Sequence, residues 1–291
     1  MPARLILNAD DFGLTPGINR AIGELHSAGV LTSATLMANG PAFDDAVAVA
    51  HAHPTLGVGC HIVLTDGVPV SPPETIPTLL GPDGKSFRPS LIAFLRALFF
   101  DRIREEDITR EALAQIQRLQ HAGIRVTHLD THKHTHLFPA ITRPLLALAE
   151  SNRIPALRNP FEPPWSLALH QGSRTRHLAV KLINRLRPRF EAYPQISEGR
   201  ILTTDGTVAI SATGQLDAET LAQLLRALPP TGTYELCCHP GYNDRDLDRV
   251  TTRLRAHRDA ERQALLTEIP RVLAQPHPPS LIHYGDLGAA V

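Results

Sequence analysis

The 291-residue sequence carries no excess of charge: 29 Lys and Arg balance 29 Asp and Glu. Neither a nucleic-acid partner nor an acidic, disordered chain is advertised, and a small or neutral molecule is the expected partner. Cysteine is scarce, with Cys60, Cys237 and Cys238 each inside an apolar, strand-like run. The adjacent pair is poorly placed for an ordinary disulfide, so buried thiols in a reducing compartment are expected. No apolar run approaches the ~20 residues of a membrane-spanning helix. The start Met-Pro-Ala-Arg-Leu enters an apolar run too soon for the charged and apolar regions of a signal peptide. These absences predict a cytoplasmic protein without a membrane span. No repeat or low-complexity linker divides the chain, and its 43% apolar content suits one sizeable core.

What is there alternates between strand-like and helix-like segments. The run over 5–7 predicts a first strand, and Thr15-Pro16 caps a helix carried by Ile18, Ile22 and Leu25 and stopped at Gly29. A strand over 30–38, a helix through Phe43 to Ala50 and a strand over 56–64 follow. Strand and helix in turn predict a parallel sheet. A Pro-rich loop over 68–89 breaks the rhythm and reads as a lid or insertion. Helices are then expected over 108–121, 139–151, 216–228 and 253–273, with strands over 126–130, 233–239 and 281–284. The stretch 159–200 is irregular. Its residues 174–189 carry Arg174, Arg176, Lys181, Arg185, Arg187 and Arg189, a basic face best explained as solvated helix surface. The pattern predicts a single α/β domain over 1–291, an irregular (β/α) barrel of the TIM-barrel type.

Histidine supplies the sharpest chemical signal. Thr127-His128-Leu129-Asp130-Thr131-His132-Lys133-His134-Thr135-His136 packs four imidazoles and a carboxylate into ten residues at a strand end. Neutral imidazole is a common metal ligand, and strand geometry sends every second side chain to one face. Asp10-Asp11 ends the first strand. Adjacent residues face opposite ways, so both reach one site only if the strand gives way to a loop there. His61 interrupts a buried run, and His239 ends another just before Pro240-Gly241. All these groups fall at carboxyl ends of predicted strands, the face on which β/α folds assemble their sites.

A carboxylate and two imidazoles around one divalent cation form an open catalytic site rather than a closed structural one. A second carboxylate acting as base and a further His acting as acid would complete an amide hydrolase. From spacing alone, His128, Asp130, His134 and His136 rank equally with His132 as ligands. A metal-dependent phosphoesterase and a non-catalytic sugar- or metal-binding barrel are the competing readings.

The motifs Asn8-Ala9-Asp10-Asp11-Phe12-Gly13, Gly59-Cys60-His61, the 128–136 His/Asp run and Cys238-His239-Pro240 together resemble the YdjC-like carbohydrate deacetylases, also called the ChbG/HpnK family. The resemblance implies a β/α barrel that removes an N-acetyl group from an amino sugar, such as a chitooligosaccharide or a sugar-bearing lipid, with one divalent cation. It implies Asp11, His61 and His132 as metal ligands, Asp10 as base, His239 as acid and Arg158 as the group orienting Asp10. Lys133 stands where relatives often carry His or Gln, and His134 and His136 fall to supporting or substrate contacts. Ligand softness suits zinc, whereas the family is associated with magnesium. The resemblance also suggests a homodimer.

Overall fold

The computed structural model describes residues 2–169 and 174–289. Its strands are β1 (Arg4–Phe12), β2 (Ser33–Leu36), β3 (Gly57–Ile62), β4 (Leu129–Thr131), β5 (Gly206–Val208), β6 (Thr233–Cys238) and β7 (Ser280–Leu281). They pair in the order β4-β3-β2-β1-β6-β5, with β7 beside the start of β1, and every pairing is parallel. Parallel neighbours require crossovers, and helices supply most of them. Helices α1 (Pro16–Ser27) and α2 (Phe43–Ala52) join the first three strands, and α3 (Leu91–Phe99) and α4 (Glu105–His121) precede β4. Helix α5 (Pro139–Ser151) leads to the 156–158 segment. Four short helices follow, α6 (Pro164–Leu169), α7 (Arg174–Ile183), α8 (Arg187–Glu191) and α9 (Pro194–Ser197), before α10 (Ala218–Arg226) and α11 (Ala256–Leu273).

The two edges of this sheet meet through segments too short to be strands. Leu129 of β4 bridges Leu157, and Ala156 bridges Leu202. The Asp205 N–H then donates to the Thr233 carbonyl of β6. The sheet thereby curls into an irregular (β/α) barrel, as the alternating pattern predicts. Its two faces differ in chemistry. Leu7, Ala9, Leu36, Cys60, Ile62, Leu129 and Leu236 belong to the main apolar core. Their strand neighbours Asn8, Asp10, Thr35, His61, Asp130 and Glu235 are buried polar residues that hydrogen-bond to one another's elements. Period-two alternation therefore sorts apolar side chains outward against helices and polar ones into the barrel. A small apolar cluster of Ile6, Ala156 and Tyr284 also packs among the strand residues.

Several expected elements shift at their ends. The 30–38 strand shortens to Ser33–Leu36, the 126–130 strand moves to Leu129–Thr131, and the 281–284 strand becomes Ser280–Leu281 followed by a 3₁₀ turn at Tyr284–Asp286. The N-cap of α1 is as read: Thr15 accepts from the Ile18 N–H, with Pro16 opening the helix. The 68–89 loop is pinned to α4 by buried acids. Glu111 accepts from the Val70 and Ser71 N–H groups at 2.9 Å each, and Asp107 accepts from the Thr78 N–H at 2.9 Å. Lys181, Arg185 and Arg189 are exposed, as a solvated face requires, whereas Arg187 is half-buried and donates to Glu191 and to the Asp205 carbonyl. The side chains of Arg174 and Arg176 lie outside the described residues. The three cysteines are free and buried. No helix among the described residues is long and apolar enough to cross a membrane.

Candidate active site

Asp10 and Asp11 share one site for a reason other than the loop the sequence suggests. Strand β1 continues to Phe12, but its register against β2 slips between Ala9 and Phe12, and Asp11 takes a left-handed φ of 63°. This bulge turns two adjacent carboxylates to the same side, a device that re-aims side chains beside functional sites.

Asp10 is 3% exposed and fully engaged. Arg158 donates to it from Nη1 at 2.9 Å and from Nη2 at 2.6 Å, Asn8 Nδ2 at 3.0 Å and Thr35 Oγ1 at 3.1 Å. Burial raises the affinity of this carboxyl for a proton, but the charges of Arg158 and His61 and the Arg158 hydrogen bonds outweigh it. Asp10 is held well below the usual carboxylate range. Arg158 is no surface arginine: it has no exposure, and its guanidinium also meets Asp130 at 2.5 Å and Glu235 at 2.5 Å. Glu235 in turn accepts from Thr207 Oγ1 at 2.9 Å and from the Tyr284 hydroxyl.

The register of β3 against β4 places His61 directly beside Asp130. His61 Nδ1 lies 2.8 and 2.9 Å from the two Asp130 oxygens. An ionised carboxylate only accepts, so Nδ1–H donates and Nε2 faces the opposite way, toward Asp11 and His132. Burial lowers the His61 pKa, yet Asp130 overrides it and the ring is pushed up to about 9 in the absence of a cation. His61 Nε2 is 3.8 Å from Asp11 Oδ1 and 3.3 Å from His132 Nδ1, and His132 Nδ1 is 3.5 Å from Asp11 Oδ1. Ligand atoms held about 2.0–2.2 Å from one cation at tetrahedral angles lie about 3.4 Å apart. The set fits a divalent cation by spacing and by donor chemistry, one oxygen and two imidazole nitrogens.

Charge makes the same point. Asp10, Asp11, Asp130 and Glu235 face two buried guanidinium groups, Arg158 and Arg258, the latter 2.6 Å from Asp11 Oδ2. Carboxylates outnumber guanidinium groups here, an excess of negative charge that favours a cation.

His239, just beyond β6, places Nε2 3.9 Å from Asp10 Oδ2 and Nδ1 4.0 Å from Glu261. Burial dominates and lowers its pKa, against Asp10 and Asp11, which raise it. The remaining histidines divide. His132 opens a tight 3₁₀ turn in which Lys133 and His134 are both left-handed, with φ of 57° and 51°. Lys133 pairs with Asp66 and so ties this turn to the segment after β3. His134 is kept neutral, pulled down to about 3 by burial and then by Arg158. His136 is 0% exposed and hydrogen-bonded to Thr131 Oγ1 at 2.7 Å. His128 stacks on Tyr284 at 3.8 Å and supports the barrel interior.

Sequence reading missed Arg258, Glu261, Glu235 and Tyr284. Glu235 was visible as a lone charge inside the apolar run of β6. Arg258 and Glu261 are charges on the same face of α11 as the buried Ala264, Leu265, Glu268, Ile269 and Val272. From that face Arg258 holds Asp11, and Glu261 accepts from the His239 N–H at 2.5 Å.

The profile of the YdjC-like protein family matches residues 4–274, the span that contains all of these groups except Tyr284. The chain belongs to the YdjC-like family. Among relatives of this family, a carbohydrate deacetylase of Brevibacillus brevis is 36% identical over 241 residues, covering 83% of this chain and 82% of the relative. A carbohydrate deacetylase of Geobacillus stearothermophilus is 42% identical over 155 residues, covering 53% of this chain and 59% of its own. A crystal structure from Enterococcus faecalis V583, of a protein provisionally assigned to cellobiose-phosphate cleavage, superposes with a TM-score of 0.76 at 27% identity and covers 99% of both chains.

Proposed function

We propose that this YdjC-like barrel is a metal-dependent carbohydrate deacetylase, hydrolysing the N-acetyl group of an amino sugar of the N-acetylglucosamine type. The observation that carries the reading is the convergence of Asp11, His61 and His132, with ligand atoms within 4.8 Å of one another, beside an Arg158-held Asp10 and a His239. The names of the relatives support the substrate class. A divalent cation, zinc or magnesium, bound by Asp11, His61 and His132 would polarise the amide carbonyl and acidify water.

The chain's own residues then move one proton. Asp10 is anionic at rest, because Arg158 outweighs its burial, and Oδ2 accepts the proton of the attacking water. Asp10 is a weak base by the same token, so it passes the proton on readily. His239 Nε2 is 3.9 Å away and neutral at rest, placed to receive that proton and deliver it to the departing amine nitrogen. Arg158 fixes both oxygens of Asp10, and Asp130 fixes the tautomer of His61.

The test is acetate release from N-acetylglucosamine oligomers by protein stripped of metal and reloaded with magnesium, zinc, cobalt or manganese. Release restored by one of these cations, and absent from His132→Ala, is expected. Release that survives stripping, or that His132→Ala leaves intact, overturns the proposal.

A further inference from the structure

Strand β6 brings a second set of ligand atoms to Asp10. Cys237 lies opposite Asn8 in the β1–β6 register, and alternation puts Glu235, Cys237 and His239 on the inward side. Cys237 Sγ is 3.4 Å from Asp10 Oδ2, and His239 Nε2 is 3.9 Å from the same oxygen. Ligand atoms of all three residues lie within 4.8 Å of one another. The Asp11 set offers oxygen and nitrogen only, whereas this one adds sulfur. Thiolate favours zinc strongly over magnesium.

We infer that Asp10, Cys237 and His239 form a second, softer cation site that zinc fills when in excess, and that filling it stops turnover. The inhibitory part rests on the proposed roles of Asp10 and His239, since the same two atoms that would accept and deliver the proton become metal ligands. Binding forms a Zn–S bond and breaks the Cys237 S–H bond, with the proton leaving to solvent and no change of oxidation state. Among the described residues Arg158 is the one cationic side chain hydrogen-bonded to Asp10, and its charge is shared among Asp10, Asp130 and Glu235. The first cation already offsets the excess of carboxylates over guanidinium groups, so the second is held through the thiolate that Cys237 becomes on binding. The His239 side chain is 12% exposed, which gives a cation a way in from the barrel mouth.

The experiment loads the stripped protein with the cation that supports acetate release, then titrates zinc or magnesium while following release and bound zinc per chain. In the wild type, excess zinc is expected to suppress release as a second equivalent binds, and excess magnesium to leave it unaffected. Loss of a supporting group already costs about 10–100-fold in metal affinity, so Cys237→Ala and Cys237→Ser should each need at least about tenfold more zinc for the same suppression. Cobalt gives a readout independent of turnover: a near-ultraviolet thiolate-to-cobalt absorption appears after the first equivalent in the wild type and is absent from Cys237→Ala. Equal zinc sensitivity in both variants and the wild type, or no thiolate absorption at saturating cobalt, overturns the inference. Thiolate absorption without acetate release from any sugar would uphold the second site and sink the deacetylase reading; release without the absorption would do the reverse.

Discussion

Replacing Arg158 with Met removes a guanidinium that three buried carboxylates share. Arg158 has no exposure, and Asp10, Asp130 and Glu235 lie 2.6, 2.5 and 2.5 Å from it. Removing one partner of a buried ion pair costs about 3–5 kcal/mol because the other charge is left uncompensated. That is a large part of a total stability of about 5–15 kcal/mol. With a urea slope of about 1–3 kcal/mol per molar, the midpoint should fall by about 1 M or more near neutral pH. The pH dependence carries the mechanism. In the wild type Asp10 titrates well below an ordinary carboxyl, so its stabilisation is complete above the unfolded pKa and is lost as pH falls through the lowered value. In Arg158→Met burial loses its main opponent, the carboxyls titrate higher than in the wild type and toward or above their unfolded values, and stability falls less, or rises, as pH falls toward those values. The gap between wild type and variant must therefore narrow from about pH 7 to about pH 5. Urea unfolding at the two pH values measures it. A loss below about 1 kcal/mol, or one that is the same at both, would refute the view of Arg158 as the charge hub of the barrel.

Glu261 is pushed up to about 7 from 4.5, chiefly by burial. A raised carboxyl binds more protons folded than unfolded, so wild-type stability should fall by on the order of 3 kcal/mol as pH rises through that window. Unfolding curves for Glu261→Gln should be flatter there; an unchanged slope would show that Glu261 titrates normally. Gly59 faces the His128 ring, where an added Cβ would lie 2.6 Å from Nδ1. Gly59→Ala should cost about 1–3 kcal/mol by displacing His128 from Tyr284, and a melting temperature equal to wild type would contradict this packing. His132→Ala should weaken cation binding measured by calorimetry by at least about tenfold, whereas His136→Ala, which touches Thr131 rather than the ligand set, should change it less.

The residues to which the proposal assigns the chemistry were largely legible because each breaks a rule of its surroundings. His61 interrupts an apolar strand, His239 ends one, and Asp10-Asp11 puts two carboxylates where a buried run stops. Division of the His128–His136 run was not legible from spacing. It depends on the left-handed turn at Lys133 and His134, which sends His132 to Asp11 and buries His136, and no local pattern specifies that turn. The bulge at Asp11 was equally hidden, since a register slip belongs to the pairing with β2 rather than to the sequence of β1. Barrel closure rests on single bridges at Leu157 and Leu202, too short to leave a strand signature. The partners of Arg158 lie 77 and 148 positions away at Glu235 and Asp10, a separation that only the fold resolves.

In the proposed reaction two adjacent carboxylates divide the labour, Asp11 holding the cation and Asp10 handling the proton. Cation affinity and acetate release measured on the same preparation of Asp10→Asn test it most directly. Affinity for the supporting cation is expected to stay close to wild type, with release lowered about 10²–10⁴-fold, the range a general base contributes. Affinity lost together with release would make Asp10 a ligand, and release close to wild type would leave the reaction without its base; either result overturns this division.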